Sequence, residues 1–339
     1  MPKVLVTGAS GFVAKHCIAE LLRRGHSVRG TLRNLDRANE VRQSVARLGA
    51  DATGMEFVAV DLLSETGWDA ATKGCEYVQH VASPFPIKEP KDGNDVIRPA
   101  LEGTRRVLGA AARNGVKRVV LTSSVVAITM PSPEAALGHV FSEADWTGVD
   151  RKDISSYVVS KTLAERAAWD FVKAQKGLEL TVINPAFVLG PAADDDLSTS
   201  HEVIRLMAKG AYPASPKVGF PISDARDVAV THALAMTHPK AAGERFISAN
   251  GFLRLFEIGQ LVAATLPDLK WKVPKWEMQN FAVRALAVFD RRLRAVIPDL
   301  GHPRHITNAK ARGVLEQTFH TPQEAVRSAS STLRSLQVI

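Results

Sequence analysis

The sequence predicts an α/β fold, a doubly wound parallel sheet followed by a smaller C-terminal lobe. Three observations carry this. Short runs of Val, Leu and Ile alternate with longer stretches of helical periodicity through the first 190 residues, the pattern of strand–helix units that cover a parallel sheet on both faces. A glycine-bearing turn, Gly8-Ala-Ser-Gly11, separates the first run from the first helical stretch. Beyond Gly190 the alternation yields to shorter pieces punctuated by Pro191, Pro213, Pro216, Pro221, Pro267, Pro274, Pro298 and Pro303. Residues 1–190 are therefore read as the main domain, with returns to it near 218–250, and residues 191–339 as mainly the smaller lobe.

The elements follow in order. Lys3-Val-Leu-Val-Thr7 is a short buried strand. Residues 12–24 carry helical periodicity through Val13, Cys17 and Leu21 and stop at Gly25. Ser27-Val-Arg-Gly-Thr-Leu32 is a second strand, and residues 35–48 a second helix with Asp36 as its expected cap. Met55-Glu-Phe-Val-Ala-Val60 is a third strand, ending at Asp61, and Glu76-Tyr-Val-Gln-His-Val81 a fourth. A long helix over 94–114 leads to the strand Arg118-Val-Val-Leu-Thr122. A helix starting near Tyr157 precedes the strand Leu178-Glu-Leu-Thr-Val-Ile183. Ser223-Asp-Ala-Arg-Asp-Val-Ala229 opens another helix, and 308–315 and 322–336 read as helical.

Bulk properties narrow the class. The 339 residues are 45% hydrophobic and 23% charged, ordinary for a globular protein. No signal-like segment follows Met1, and no apolar run reaches the length of a membrane span. The expectation is a soluble, cytoplasmic chain with no membrane partner, monomeric or homodimeric. Cys17 and Cys75 make no disulfide framework or metal cluster, so no metal is expected. The net charge of +8 is spread along the chain. Its densest clusters, Arg291-Arg292-Leu-Arg294 and Lys270-Trp-Lys-Val-Pro-Lys-Trp276, read as a helix face and a surface loop, so no nucleic-acid partner is expected.

Four motifs carry chemistry. Thr7-Gly8-Ala-Ser-Gly11-Phe-Val-Ala14 follows a strand and opens a helix, the context of a dinucleotide fingerprint. Gly8 permits the turn, Gly11 lets backbone N–H groups approach a pyrophosphate at the helix start, and small Ala14 allows close packing. The end of the second strand holds Arg33, with Arg37 one turn later, where an acidic residue would favour NAD. Guanidinium forks suit a 2′-phosphate, which points to NADPH rather than NADH. Asp61-Leu62 closes the third strand, where a carboxylate can accept from an adenine amino group. Tyr157 and Lys161 are four residues apart on a helix, hence on one face. An ammonium there is expected to lower the tyrosine pKa and make it a proton carrier. Thr122-Ser-Ser124 sits at a strand's carboxyl end, where ligands of such sheets bind.

Together these residues resemble the extended short-chain dehydrogenase/reductase family, over most of the chain. The motifs are Thr7-Gly-Ala-Ser-Gly-Phe-Val-Ala14, Asp61-Leu62, Thr122-Ser-Ser124, Tyr157-x-x-x-Lys161 and Ile183-Asn-Pro-Ala-Phe-Val-Leu-Gly190. Within the family the chain is most similar to the dihydroflavonol-reductase-like branch, through His80-Val-Ala-Ser-Pro-Phe85, Phe141-Ser-Glu-Ala-Asp-Trp146 and Ser160-Lys-Thr-Leu-Ala-Glu-Arg-Ala-Ala-Trp169. Cinnamoyl-CoA reductases of that branch usually carry Asn-Trp-Tyr-Cys-Tyr around the tyrosine. Here Ser155-Ser-Tyr-Val-Val-Ser160 stands instead, which argues against a CoA ester. Ile128-Thr-Met-Pro131 lacks the polar residues that grip flavonoid hydroxyls, which directs the resemblance to the microbial aldehyde and ketone reductases.

The resemblance implies a Rossmann domain for NADP and a C-terminal substrate lobe. It implies NADPH-dependent reduction of a hydrophobic aldehyde or ketone, a small-molecule carbonyl. Tyr157 would be the general acid, Lys161 its partner and ribose ligand, and Ser124 the hydrogen-bond donor to the carbonyl, with Ser123 the competing serine. The cofactor would lie against Gly8, Ser10, Gly11, Phe12, Val13, Arg33, Arg37, Asp61, Leu62, Val81, Ala82, Ser83, Tyr157, Lys161, Pro185 and Val188. Phe85, Val126, Met130, Phe187 and Tyr212 are candidate pocket walls. Alternatives on the same fold are a sugar-nucleotide epimerase or dehydratase and a steroid-type dehydrogenase. A non-enzymatic alternative is an NADP-binding redox sensor.

Overall fold

The computed structural model describes residues 2–83, 92–130, 138–151, 154–289, 293 and 296–339. Phe85 and the Arg291, Arg292 and Arg294 cluster lie outside the described residues. Seven strands form one parallel sheet: β1 (Lys3–Val6), β2 (Ser27–Leu32), β3 (Glu56–Ala59), β4 (Tyr77–His80), β5 (Arg118–Thr122), β7 (Glu179–Pro185) and β10 (Arg245–Ser248). Their spatial order is β10-β7-β5-β4-β1-β2-β3, and every pairing is parallel. The order reverses between β1 and β4, which opens a crevice at the carboxyl edge there.

Alternation along each strand explains why helices cover both faces. Val4 and Val6 of β1, Val120 of β5 and Ile183 of β7 join one core with Ile18, Leu21, Val41, Val45, Met236 and Phe246. That side is covered by α1 (Phe12–Arg23), α2 (Ala38–Arg47) and α7 (Ala225–Thr237). Leu5, Val78, Val119, Leu121, Leu180 and Val182 point the other way, to Trp68, Val107, Leu108 and Ala168. That side is covered by α3 (Trp68–Thr72), α4 (Asn94–Arg113) and α5 (Ser156–Ala174). Each fully buried Val or Leu contributes about 1.5–3 kcal/mol, so these faces hold the sheet together.

The second layer is smaller. Strands β8 (Phe187–Leu189), β9 (Gly219–Asp224) and β11 (Phe252–Arg254) form a three-stranded sheet in the order β11-β9-β8. It packs on α6 (Thr199–Ala208), α8 (Leu255–Thr265) and α11 (Pro322–Ser335) through Leu189, Ile204, Met207, Ile222, Leu253, Ile258, Val262, Val326 and Leu333. Helix α11 starts on a capping box, Thr321 with Glu324, and has Pro322 in its first turn. Two-residue strands β6 (Val140–Phe141) and β12 (His305–Ile306) pair in parallel. The helices α9 (Asn280–Leu286) and α10 (Ala309–Val314) complete the described set.

Two details depart from the sequence reading. Asp36 does not cap the second helix. The Asn34 side chain accepts its N–H instead and caps a short 3-10 turn, Leu35–Arg37, that feeds α2. The five-residue α3 was not anticipated, since Trp68–Thr72 is too short to show a helical period. The Lys270–Trp276 loop is on the surface, with Trp271 and Trp276 exposed. Among the described residues no helix is long and apolar enough to cross a membrane.

Candidate active site

Two clusters flank the crevice. The first is the glycine turn after β1. Gly8 adopts φ +66°, and a Cβ there would lie 3.0 Å from Ala82 Cβ; any side chain would be strained and would push the turn off the end of β4. Gly30 of β2 is close to the turn as well, for a Cβ there would come within 2.7 Å of Ala9. The turn is tied down from neighbouring strands. Gly8 N–H donates to Thr31 Oγ1 (2.9 Å), and Val81 and Ala82 N–H donate to Thr7 Oγ1 (3.0 and 2.9 Å). With both lone pairs of that oxygen engaged, the Thr7 hydroxyl donates to His80 Nδ1 (2.9 Å). No bonding role for Thr31, Thr7 or His80 was read from sequence.

Helix α1 begins at Phe12 with Gly11 as N-cap and no side chain capping it. Its first N–H groups, at Phe12 and Val13, are left without a side-chain cap, the arrangement that suits an anion at a helix start. Ser10, Gly11, Phe12 and Val13 are all partly or fully exposed. Arg33 is exposed just beyond β2 and makes no ion pair among the described residues. Arg37 is held by Glu40 (2.5 Å) and Asp196 (3.2 Å). Asp61 accepts Leu63 N–H on Oδ1 (2.8 Å), and Leu62 packs against Gly103 of α4. The cradle that excludes a Cβ, the uncapped helix start and Arg33 fit a phosphorylated dinucleotide.

The second cluster stands at the ends of β5 and α5. Ser155 caps α5, its hydroxyl accepting from Val158 N–H (3.3 Å), and this fixes the first turn where Tyr157 sits. The Tyr157 and Ser124 side chains are hydrogen-bonded. Ser124 Oγ also accepts Val126 N–H (3.3 Å). Ser123 is turned elsewhere, donating to Glu165 Oε2 at 2.5 Å. The geometry thus brings Ser124, and not Ser123, to the tyrosine. Lys161 is buried, and its Nζ donates to the Thr122 carbonyl (3.3 Å).

The expected lowering of the Tyr157 pKa is corrected by this geometry. Burial dominates and pushes the phenol up to about 12, with the Ser124 hydrogen bond pulling the other way. Burial also brings the Lys161 ammonium down to about 8, and the Glu165 carboxylate opposes that fall. His80, next to Lys161, is held neutral by burial, its pKa lowered to about 3. The phenol therefore stays protonated at neutral pH.

The remaining candidates are scattered around these clusters. Val126 and Met130 follow Ser124, and Thr147 braces them: its Oγ1 donates to Val126 O and accepts Met130 N–H. Phe187 stacks on Phe220 (centroids 4.9 Å apart, planes 14° apart) in the smaller layer, where Tyr212 also packs. Pro185 ends β7, and Val188 is the middle residue of β8. Val81, Ala82 and Ser83 run past the glycine turn. Sequence reasoning missed Glu165, Asn184 and Arg245, which meet beneath Ser123. The signal for Glu165 was its place one turn beyond Lys161.

Comparison with known proteins agrees with this fold. A sequence model of the NAD dependent epimerase/dehydratase family matches residues 4–247. A cinnamoyl-CoA reductase of Medicago truncatula is 38% identical over 245 residues, 71% of this chain and 74% of the relative. A ketoreductase of Aspergillus niger is 30% identical over 347 aligned residues, 98% of this chain and 97% of the relative. The crystal structure of the Gre2 protein of Candida albicans in complex with NADPH superposes with a TM-score of 0.81 at 26% identity, covering 99% of each chain. The match spans the glycine turn, Ser124, the Tyr157–Lys161 pair and all seven strands of the main sheet, and on it this chain belongs to the NAD dependent epimerase/dehydratase family, the extended short-chain dehydrogenases/reductases.

Proposed function

We propose that the protein is an NADPH-dependent reductase of hydrophobic aldehydes or ketones. The observation that carries this reading is the Ser124–Tyr157 hydrogen bond beside Lys161, at the carboxyl edge of β5. A bound reduced nicotinamide supplies the hydride. The chain's own residues do the rest. Ser124 donates a hydrogen bond to the substrate oxygen, where negative charge develops. Tyr157 delivers its proton to that oxygen, and Lys161 compensates the phenolate left behind. A phenol that burial keeps protonated suits the acid's role in reduction better than the base's role in oxidation.

The proposed cofactor site uses Gly8, Ser10, Gly11, Phe12 and Val13 for the pyrophosphate. Arg33 and Arg37 take the 2′-phosphate, Arg37 by exchanging its Asp196 contact. Arg33 also weighs against the sugar-nucleotide epimerase reading, whose enzymes usually retain NAD. The presence of the full tyrosine–lysine–serine set weighs against the sensor reading. The pocket walls proposed are Val126, Met130, Phe187 and Tyr212, which suit an apolar carbonyl compound. The Aspergillus niger and Medicago truncatula relatives share carbonyl reduction by name. The residues flanking Tyr157, Ser156 and Val158, favour the free carbonyl over the thioester.

The test is loss of nicotinamide absorbance with a panel of aldehydes, β-keto esters and aryl ketones. Reduction of at least one supports the reading, and tight NADPH binding with no turnover on any of them overturns it in favour of the sensor. Arg33→Ser is expected to raise the KM for NADPH on the order of tenfold while that for NADH moves little, since one charge-assisted hydrogen bond is worth about 1.5–3 kcal/mol. Equal shifts in both would make Arg33 a structural residue.

Lys161→Met is expected to remove turnover yet raise the thermal midpoint at neutral pH. The folded-state pKa of Lys161 is lowered, to about 8, so the unfolded chain binds more protons and the buried ammonium costs stability. That cost is complete below about pH 8 and vanishes above the unfolded value near 10.4. A lower midpoint in the Met variant would show that the Thr122 contact outweighs the burial cost.

A further inference from the structure

We propose that the buried Glu165–Arg245 pair is the positioning device of this site, holding the Ser124 end of β5 and the Lys161 turn of α5 as one unit. This rests on the reductase reading above. Glu165 is wholly buried and Arg245 is 7% exposed. The Glu165 carboxylate accepts four donors, one each from β5, β7, β10 and its own helix α5. Arg245 Nε of β10 (2.6 Å) and Trp169 Nε1 of α5 (3.4 Å) reach Oε1. Ser123 Oγ at the end of β5 (2.5 Å) and Asn184 Nδ2 of β7 (2.9 Å) reach Oε2. The same Asn184 amide donates to the Ser124 carbonyl (3.1 Å). Both neighbours of the Ser124 peptide, the Ser123 hydroxyl and the Ser124 carbonyl, are therefore referenced to one carboxylate.

Arg245 extends the unit toward the proposed pocket. Its Nη1 donates to the Glu143 and Asp145 carbonyls (2.9 and 2.8 Å), and its guanidinium lies 3.8 Å from the Trp146 ring centroid. The next residue is Thr147, which braces Val126, Ala127 and Met130. A buried ion pair adds little net stability over an apolar pair of the same volume. What four convergent donors and a fork do provide is a single allowed arrangement of β5, α5 and the 143–147 loop.

The same carboxylate sets the field at Lys161. The groups packed around that ammonium are Glu165 on α5, His80 of β4, the Thr122 carbonyl and Ser123 at the end of β5, and Ala100 and Thr104 of α4. They enclose a cavity of about 10 Å³. His80 is neutral. Glu165 is the one anion that faces Lys161 among the described residues, with Arg245 on its far side.

Glu165→Gln keeps the shape and removes the charge. Its kcat is expected to fall on the order of 10²-fold, the cost of a misplacement near 1 Å, with the NADPH dissociation constant held within about twofold. Its alkaline limb in kcat/KM is expected to move to lower pH by about one unit, because an anion near a lysine favours its charged form. Glu165→Asp restores the limb but not the full kcat. A folded Gln variant with wild-type kcat and an unmoved limb overturns the proposal, whatever its thermal midpoint. If the Gln variant does not fold, the Asp variant decides: a reduced kcat with the wild-type limb supports the proposal, and a wild-type kcat overturns it. The Lys161 pKa, followed by NMR of labelled lysine side chains, needs no substrate. Its fall in the Gln variant supports the device even if no tested carbonyl is reduced, and an unchanged value overturns it.

Discussion

Tyr157→Phe is expected to lower kcat by about 10²- to 10⁴-fold, the range general acid catalysis supplies, with NADPH affinity within a few-fold of the parent. The change deletes one hydroxyl and leaves the ring where it packs. Ser124 then loses its hydrogen-bond partner, and the substrate oxygen loses its proton source. Ser124 and Lys161 remain to orient and polarise, so a residual rate above the uncatalysed one is expected. Steady-state turnover with the best carbonyl of the panel, together with fluorescence titration of NADPH, checks both halves. Turnover at the parent rate would remove Tyr157 from the chemistry.

Arg245→Met is expected to destabilise the fold by about 3–5 kcal/mol, the cost of leaving a buried charge without its partner. Met occupies much of the arginine stem's volume, so the loss isolates the charge and its fork. Glu165 would keep Ser123, Asn184 and Trp169 as donors but lose the cation at 2.6 Å. The loops at Glu143 and Asp145 would lose both donors to their carbonyls. The penalty is expected to be smaller near pH 5 than near pH 8, since an isolated carboxylate sheds its charge by binding a proton. Urea unfolding at the two pH values measures this. A loss under about 1 kcal/mol at both would mean that solvent reaches Glu165 once the arginine is gone.

The legible parts of the chain were those where function needs a local pattern. The glycine turn shows in sequence because Gly8 must take a positive φ and let Ala82 approach. The Tyr157–Lys161 pair shows because helical geometry alone puts residues four apart on one face. Buried parallel strands show as unbroken apolar runs such as Val4 to Val6, since each side of the strand meets a different core. The illegible parts depend on pairs far apart in sequence. Glu165 and Arg245 are 80 residues apart, Glu165 and Ser123 are 42 apart, and Thr7 and His80 are 73 apart. Asp36 was misjudged as a cap because it lies inside a short 3-10 turn that Asn34, two residues earlier, caps by accepting the Asp36 N–H.

The sequence by itself determined the class of fold, the cofactor turn, and the tyrosine, lysine and serine pair that could serve the chemistry. These rest on periodicity and on spacings within one strand–helix unit, which local sterics dictate. Tertiary structure adds a physical reason to the preference for Ser124 that the resemblance implied, tying Ser123 to Glu165 and setting the Ser124 side chain against Tyr157. It alone decided the proton affinity of Tyr157, which burial raises where a neighbouring ammonium was expected to lower it. Both outcomes depend on which groups are dry and which are near. Dryness and nearness are set when β5, β7, β10 and α5 close around one another, and no segment of the chain carries that information alone.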